Sequence, residues 1–309
     1  MRFLTGLLFF ALSLILQFIW IKIQRRIHIT QQQKWYGINI DNEIKSATPS
    51  MGGVVFLCLA LISLCINPSW HALIFWSFPF LSGIIGFIDD WIKFRSHSSE
   101  GFSSLAKLKL QLLLCALWCM VVFMFGDFGL WPGVFNSCWW LSIPVTFLVS
   151  AGTINAVNIT DGLDGLAAGS FVISLAVMMI LIPMNEFNTE IMIQLFFMVS
   201  GFMFFNVRPA KTFMGDTGSH FLGGALAAMC IINGRTLAII PVGFIFIIEM
   251  LSSAIQIFTI RKLNRKIFLM APLHHHYQKK GLDETAVTIR FWLVHAVGSV
   301  MLSLILINM

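Results

Sequence analysis

The sequence is poor in charged residues. Aspartate, glutamate, lysine and arginine together make up only 11% of its 309 residues, whereas the apolar set makes up 58%. Soluble globular domains contain about 25% charged residues, so this chain has too few charges to cover a water-facing surface. A soluble enzyme is therefore excluded. Disorder is excluded as well, because a disordered chain needs low hydrophobicity and high charge.

The strand pattern of a membrane barrel is also missing. A transmembrane barrel has short strands of alternating polarity, whereas this chain contains long apolar runs such as Leu237 to Glu249 and Phe291 to Asn308. Such runs indicate membrane-spanning helices, which satisfy their backbone hydrogen bonds internally. No internal repeat, domain linker or metal-type CxxC pair is visible. We therefore predict an all-α, polytopic integral membrane protein with residues 1–309 as one transmembrane domain.

Turn residues and charges divide the chain into about ten transmembrane helices. Each segment is close to the length of about 17–25 residues that a bilayer core requires. The predicted spans are 3–23, 51–69, 71–88, 106–126, 139–157, 166–184, 190–206, 219–233, 236–258 and 291–308.

Lysine and arginine are distributed unequally between the two faces that ten spans define. The connections after odd-numbered spans and their flanks hold 18 of the 20 basic residues, leaving only Arg2 and Arg235 on the other side. Because basic residues concentrate in cytoplasmic loops, we predict that these connections are cytoplasmic and that both termini lie outside. The formal charge of +6 is thus spread along the membrane edge, which indicates no nucleic-acid partner but suits anionic headgroups or an anionic substrate.

Four of the cytoplasmic connections hold nearly every residue capable of chemistry. Adjacent aspartates repel and are tolerated best beside a cation or a lysine, and carboxylate ligands without cysteine indicate Mg2+ or Mn2+. A solvated helix cap is the alternative for any single aspartate. The motifs are GFIDDWIK with Asp89, Asp90 and Lys93, NAVNITDGLDG with Asn158, Asp161 and Asp164, the stretch from Asn206 to FMGDTGS with Phe213 and Asp216, and APLHHHY with His274, His275 and His276.

Three features of these motifs indicate phosphate chemistry. Glycine-flanked aspartates at a helix start expose backbone N–H groups that favour a phosphate or a carboxylate. Neighbouring histidines on a helix diverge by about 100°, so a phosphate contact or an acid/base role suits them better than a zinc site; a solvated run is the alternative. Phe213 either packs or stacks on a base. We predict phosphoryl transfer between a soluble anionic donor and a lipid acceptor, with a divalent cation and lysines offsetting phosphate repulsion.

The motifs together resemble the polyprenyl-phosphate N-acetylhexosamine-1-phosphate transferases. The matching stretches occur in the order of that family and span nearly the whole chain. They are KSATPSMGG (45–53), GFIDDWIK (86–93), NAVNITDGLDGLAAG (155–169), FNVRPAKTFMGDTGS (205–219) and MAPLHHHYQKKG (270–281).

The resemblance implies a reaction and a location. PLHHHY and TPSMGG are typical of the branch that transfers phospho-N-acetylmuramoyl-pentapeptide from UDP-MurNAc-pentapeptide to undecaprenyl phosphate, giving lipid I and UMP in peptidoglycan synthesis. It implies Mg2+ as cofactor, and a multi-pass protein of the bacterial cytoplasmic (inner) membrane, embedded in membrane lipid with its active site facing the cytoplasm. A homodimer is left open.

The same resemblance implies roles for individual residues. Asp216 is similar to the magnesium ligand, and Asp89 to the residue that deprotonates or positions the lipid phosphate, with Asp90 and His275 completing the catalytic set. Lys93, His274 and His276 would line the phosphate side. The nucleotide-sugar pocket would consist of Lys45, Asn158, Asp161, Asp164, Asn206 and Phe213, the last stacking on uracil.

Other functions remain as alternatives. Thr217 and His220 in GDTGSH resemble members that transfer N-acetylglucosamine-1-phosphate from UDP-GlcNAc. An ion transporter using the same carboxylates is a rival of another class, although transporter sites lie near the midplane, often across an inverted repeat. A CDP-alcohol phosphotransferase would need an Ala-Arg pair that 161–176 lacks. Glu249 lies deep in a span, where a functional role or an interhelical hydrogen bond is expected, and we leave it outside the predicted site.

Overall fold

The computed structural model describes residues 2–29, 48–125, 129–131, 139–181 and 185–307. These residues form twelve α-helices and one short 3-10 helix, Thr236–Ala238, which confirms the all-α prediction. The helices are α1 Arg2–Arg26, α2 Val54–Ile66, α3 Trp70–Ser96, α4 Ser104–Phe125, α5 Trp139–Thr160, α6 Leu166–Leu181, α7 Glu186–Asn206, α8 Gly215–Ile232, α9 Ile239–Val242, α10 Phe244–Leu263, α11 Leu273–Lys279 and α12 Glu284–Ile307.

Nine of the ten predicted spans each overlap one α-helix of the described residues, and the span 236–258 is divided between the 3-10 helix, α9 and α10. Seven helices are long and apolar enough to cross a membrane, namely α1, α3, α4, α5, α7, α10 and α12, and α2 and α6 are shorter apolar helices. Many large apolar side chains remain exposed on them, for example Leu113, Phe258 and Leu293. Such a surface is stable only against lipid, so the protein is a multi-pass membrane protein.

Several helix boundaries differ from the predicted ones; for example, α12 begins at Glu284 rather than at residue 291. Helix α3 continues to Ser96 and so carries Asp89 and Asp90 inside the helix, because their carboxylates are satisfied by neighbouring elements. Helix α8 begins at Gly215, which places Asp216 in its first turn. The span 236–258 is divided at Gly243, where a short helix containing Pro241 ends and α10 begins.

Helix α8 is the centre of the bundle. Every residue from Thr217 to Ile231 is buried, with α3 packed along one side and α5 along another. A Cβ at Gly86 would overlap the backbone carbonyl of Asp216, so only glycine lets α3 approach the start of α8 this closely. That approach brings the two aspartates of α3 beside Asp216.

Candidate active site

Asp216 lies at the centre of a cluster of charged and polar side chains from α3, α4, α5 and α8. Its Oδ2 atom lies 2.7 Å from Nζ of Lys93 on α3 and 2.6 Å from Nζ of Lys107 on α4. Its Oδ1 atom accepts a hydrogen bond of 2.8 Å from Nδ2 of Asn158 at the end of α5. Side chains separated by 58 to 123 residues in sequence are thereby joined at one carboxylate.

Asp89 shares both lysines with Asp216. Its Oδ2 atom lies 2.6 Å from Nζ of Lys93 and 3.6 Å from Nζ of Lys107, and the side chain is only 3% exposed. Its Oδ1 atom accepts a hydrogen bond of 2.7 Å from the backbone N–H of Phe102, two residues before α4. The carboxylate is therefore held from both sides, which suits a group that positions the lysines.

Asp90 caps the first turn of α8. Its Oδ1 accepts from the backbone N–H of Asp216 at 3.1 Å, and its Oδ2 accepts from the backbone N–H of Thr217 at 2.9 Å and from the Thr217 hydroxyl at 2.7 Å. Carboxylates are favoured at helix N-termini by these unpaired N–H groups and by the helix dipole. Asp90 thus fixes the backbone that carries Asp216.

The three carboxylates suit a divalent cation. Asp89, Asp90 and Asp216 each offer an oxygen, and these atoms lie within 4.8 Å of one another. Carboxylate oxygens are the ligands that Mg2+ prefers in proteins. Both oxygens of Asp90 accept hydrogen bonds from the start of α8, whereas Oδ2 of Asp216 and Oδ2 of Asp89 face the side-chain ammonium groups of Lys93 and Lys107. Asp216 and Asp89 are therefore the residues that would hold the cation.

The turn between α5 and α6 extends the cluster. Asp161 follows directly after α5 and is half-buried. Desolvation by the surrounding protein and the negative charge of nearby carboxylates, Asp216 foremost, raise the pKa of Asp161 to about 8. The protein therefore keeps this carboxyl group protonated at neutral pH, which limits the negative charge beside Asp216.

Asp164, in the same turn, faces neighbouring chain segments. Its Oδ2 accepts from the backbone N–H of Ala210 at 3.1 Å, and its own N–H donates to Oε1 of Glu284 at 2.9 Å. The other oxygen of Glu284 pairs with Arg208. Asn206 supports the same region by donating from Nδ2 to the carbonyl of Thr212 at 3.0 Å. These contacts brace the segment that leads to Phe213.

Phe213 lies in the sequence between Thr212, whose carbonyl Asn206 holds, and Asp216. Its ring is half-buried, and its backbone pairs with the segment 49–53: its N–H donates to Pro49 O, and its carbonyl accepts from Gly52 N–H, each at 2.8 Å. Phe213 is thus a half-buried aromatic residue, three positions before Asp216 in the sequence.

The three histidines lie on α11, a helix where the sequence suggested a loop. His274 is fully buried; its backbone N–H donates to Oε1 of Glu249 at 3.2 Å, and its Nδ1 lies 3.1 Å from Oε2 of the same residue. Its Nε2 points at Gly162, where a Cβ would overlap it. Helix α11 thus meets the site at the turn that carries Asp161.

His275 and His276 are half-buried neighbours on the same helix. Nδ1 of His275 lies 2.8 Å from Oε1 of Gln278, and Nδ1 of His276 accepts from the backbone N–H of Leu269 at 3.0 Å. Glu249, left outside the site by the sequence analysis, makes a hydrogen bond between elements and anchors this helix.

One lysine of the cluster was not predicted. Lys107 was missing from the predicted site, although its Nζ contacts the same oxygen of Asp216 as Nζ of Lys93 does. The only sequence signal was its place among the basic residues of the cytoplasmic edge. Lys45 was predicted in the nucleotide pocket and lies outside the described residues.

Comparisons with known proteins agree with this geometry. The model of glycosyl transferase family 4 matches residues 70–234, which contain the helices α3 to α8. The chain belongs to this family. Its enzymes transfer phospho-sugars, a chemistry that suits lysines and carboxylates gathered beside a membrane.

Within the family, the chain is similar to proteins named phospho-N-acetylmuramoyl-pentapeptide-transferase. The protein of Dictyoglomus turgidum is 36% identical over 94% of this chain and 92% of its own length. That of Shouchella clausii is 36% identical over 96% and 94%, and that of Bacillus subtilis is 34% identical over 93% and 92%. The protein is therefore a membrane-embedded phospho-sugar transferase, and the ion-transporter alternative is not favoured.

Proposed function

We propose that this enzyme transfers phospho-N-acetylmuramoyl-pentapeptide from UDP-MurNAc-pentapeptide to undecaprenyl phosphate, forming lipid I and UMP. The relatives' name supports the transferred group. The observation that carries the chemistry is the pair of lysines, Lys93 and Lys107, whose Nζ atoms lie 2.7 and 2.6 Å from one oxygen of Asp216. Two fixed positive charges beside carboxylates are what two approaching phosphates need.

The reaction is a displacement at the β-phosphorus of the donor. An oxygen of the lipid phosphate forms a bond to this phosphorus, and the bond to the bridging oxygen breaks, so that UMP leaves with the electron pair. A phosphomonoester has its second pKa near 6, so the lipid phosphate is largely dianionic at neutral pH. It therefore needs no base, and we assign Asp89 to positioning Lys93 and Lys107.

The remaining residues bind and orient. The two lysines contact the phosphate oxygens, Asn158 orients Asp216, and Phe213 stacks on uracil. Bound Mg2+, held by Asp216 and Asp89, would offset the negative charge of the pyrophosphate. His275 and His276 line the phosphate side and Asp161 belongs to the nucleotide-sugar side, while Asp90, Asp164, Asn206 and His274 hold the walls of the pocket. Lys45 stays a proposed donor-binding residue.

We further propose that the site faces the cytoplasm from the bacterial inner membrane. The basic connections after odd-numbered spans support this orientation, because the cluster lies where α3 and α5 end and where α4 and α8 begin. Both substrates suit this location: the nucleotide donor is water-soluble, and the acceptor phosphate lies at the membrane surface.

A competition assay tests the proposed donor. Purified enzyme in detergent receives undecaprenyl phosphate and Mg2+, with UDP-MurNAc-pentapeptide and UDP-GlcNAc at equal concentration, and the lipid products are separated. We expect the muramoyl-pentapeptide product to dominate. Dominance of the N-acetylglucosamine product would overturn the donor assignment and leave the transferase chemistry in place, since both donors are UDP-linked sugars.

A further inference from the structure

The first membrane helix has a buried polar face. Ser13, Gln17 and Gln24 on α1 are fully buried, whereas neighbouring residues such as Phe18 and Ile19 are exposed towards lipid. Uncharged polar side chains inside a membrane protein need hydrogen-bond partners. The partners of α1 therefore indicate what this face is for.

Three side chains of α1 donate hydrogen bonds to one short segment, residues 50–52. Gln17 donates from Nε2 to the carbonyl of Gly52 at 2.9 Å, and Trp20 donates from Nε1 to the carbonyl of Met51 at 2.9 Å. Gln24 donates from Nε2 to the carbonyl of Ser50. We call Gln17, Trp20 and Gln24 the α1 clamp. Their spacing puts them on one face of the helix, and they fix three consecutive carbonyls.

The segment 50–52 contains one residue with an unfavourable backbone conformation. Met51 has a φ of 70°, in the left-handed region that residues other than glycine rarely adopt and that costs about 1–3 kcal/mol. Its carbonyl is the one held by Trp20. The clamp therefore stabilises this backbone shape, together with the backbone hydrogen bond that the same carbonyl accepts from Val54 N–H at 3.2 Å.

That backbone shape is transmitted to the active site. Besides the two bonds to Phe213, Gly53 N–H donates to the carbonyl of Met214 at 3.0 Å. Oε1 of Gln24 also lies 3.5 Å from the hydroxyl of Thr212, so Gln24 contacts both of the paired segments, 49–53 and 212–214. The residues 213 and 214 lead directly into Asp216.

We propose that the α1 clamp is a positioning device for the donor site, which sets the orientation of Phe213 towards the nucleotide. It rests on the proposed function in one respect, that Phe213 faces the uridine of the donor. Gln17 and Gln24 are then positioning residues, which act through the segment 50–52 and touch no substrate. Helix α1 thereby takes part in binding of the donor.

The test uses Gln17→Met and Gln24→Met, which keep side-chain length and remove the hydrogen bonds. The matched control is Gln194→Met on α7, because Gln194 is equally buried but accepts a hydrogen bond from Ser63 far from the site. Each clamp variant should raise KM for the uridine donor by about fivefold, the effect of one lost buried hydrogen bond. KM for the lipid phosphate should stay within about twofold, and Gln194→Met should change neither KM.

A double-mutant cycle with Phe213→Ala identifies the route. If the clamp acts through Phe213, Gln24→Met should raise donor KM in the wild-type background and add nothing in the Phe213→Ala background. Full additivity, or equal rises in both KM values, would overturn the clamp proposal. Phe213→Ala without effect on donor KM would instead overturn the stacking assignment of the proposed function, so the two failures are distinguishable.

Discussion

Replacement of Lys107 by methionine should nearly abolish turnover while the protein remains folded. Nζ of Lys107 lies 2.6 Å from Asp216 and 3.6 Å from Asp89, and the side chain is 18% exposed. Methionine keeps much of the apolar stem and removes the charge. Only Lys93 would then offset the charge that accumulates when two phosphates approach.

The size of the effect follows from the position of the charge. Unit charges about 4 Å apart interact with about 4 kcal/mol at an effective dielectric constant of 20, and Lys93 compensates for part of this loss. Removal of a preorganised group at a developing charge costs about 2.7–4 kcal/mol, or about 100- to 1000-fold in kcat. We expect the lower end, about 100-fold, because one lysine remains.

Steady-state UMP release in detergent measures this loss. Lys109→Met is the matched control, since Lys109 lies two residues further on the same helix and is exposed, and it should retain full activity. The Mg2+ concentration for half-maximal activity should not rise in Lys107→Met, because the lost ammonium group repelled the cation. A kcat within about threefold of wild type would refute the role of Lys107.

Two further predictions concern aspartates around Asp216. Asp90→Asn should lower the free energy of unfolding by about 1–3 kcal/mol, because an amide keeps only one of the two acceptor oxygens that cap α8. In thermal unfolding, the Tm of Asp90→Asn should fall further than that of Asp89→Asn. Equal losses of Tm would contradict the capping role. Asp161 holds a proton in the folded protein that the unfolded chain releases, so stability should be lost as pH rises from about 4 through the pKa of about 8. Without Mg2+, Asp161→Asn should flatten the fall of Tm between these pH values, and parallel pH profiles would count against it.

Much of the architecture follows from hydropathy alone. The spans are defined by apolar runs, so nine of the ten predicted spans each overlap one α-helix of the described residues, and only 236–258 is divided. The boundaries were less predictable where polar residues continue a helix. Asp89 and Asp90 read as the end of an apolar run, but they lie inside α3 because Lys93, Phe102 and the first turn of α8 satisfy them.

The candidate site was predictable where its residues lie in short sequence motifs. Asp89, Lys93, Asn158 and Asp216 were expected together, and they are in direct contact. Lys107 was missed because it stands in none of the motifs, and its contact with Asp216 depends on how α4 packs. Contacts that depend on tertiary packing, such as the pair of Glu249 with His274, leave no local pattern in the sequence.

The most direct test of the catalytic cluster is Mg2+-dependent UMP release by Asp216→Asn, measured in purified protein beside Asp283→Asn, whose carboxylate is exposed and outside the site. Asp216 joins both lysines and Asn158 at one carboxylate, so its loss should reduce turnover by at least about 100-fold, while Asp283→Asn should act as wild type. Turnover near the wild-type rate in Asp216→Asn would contradict the catalytic cluster.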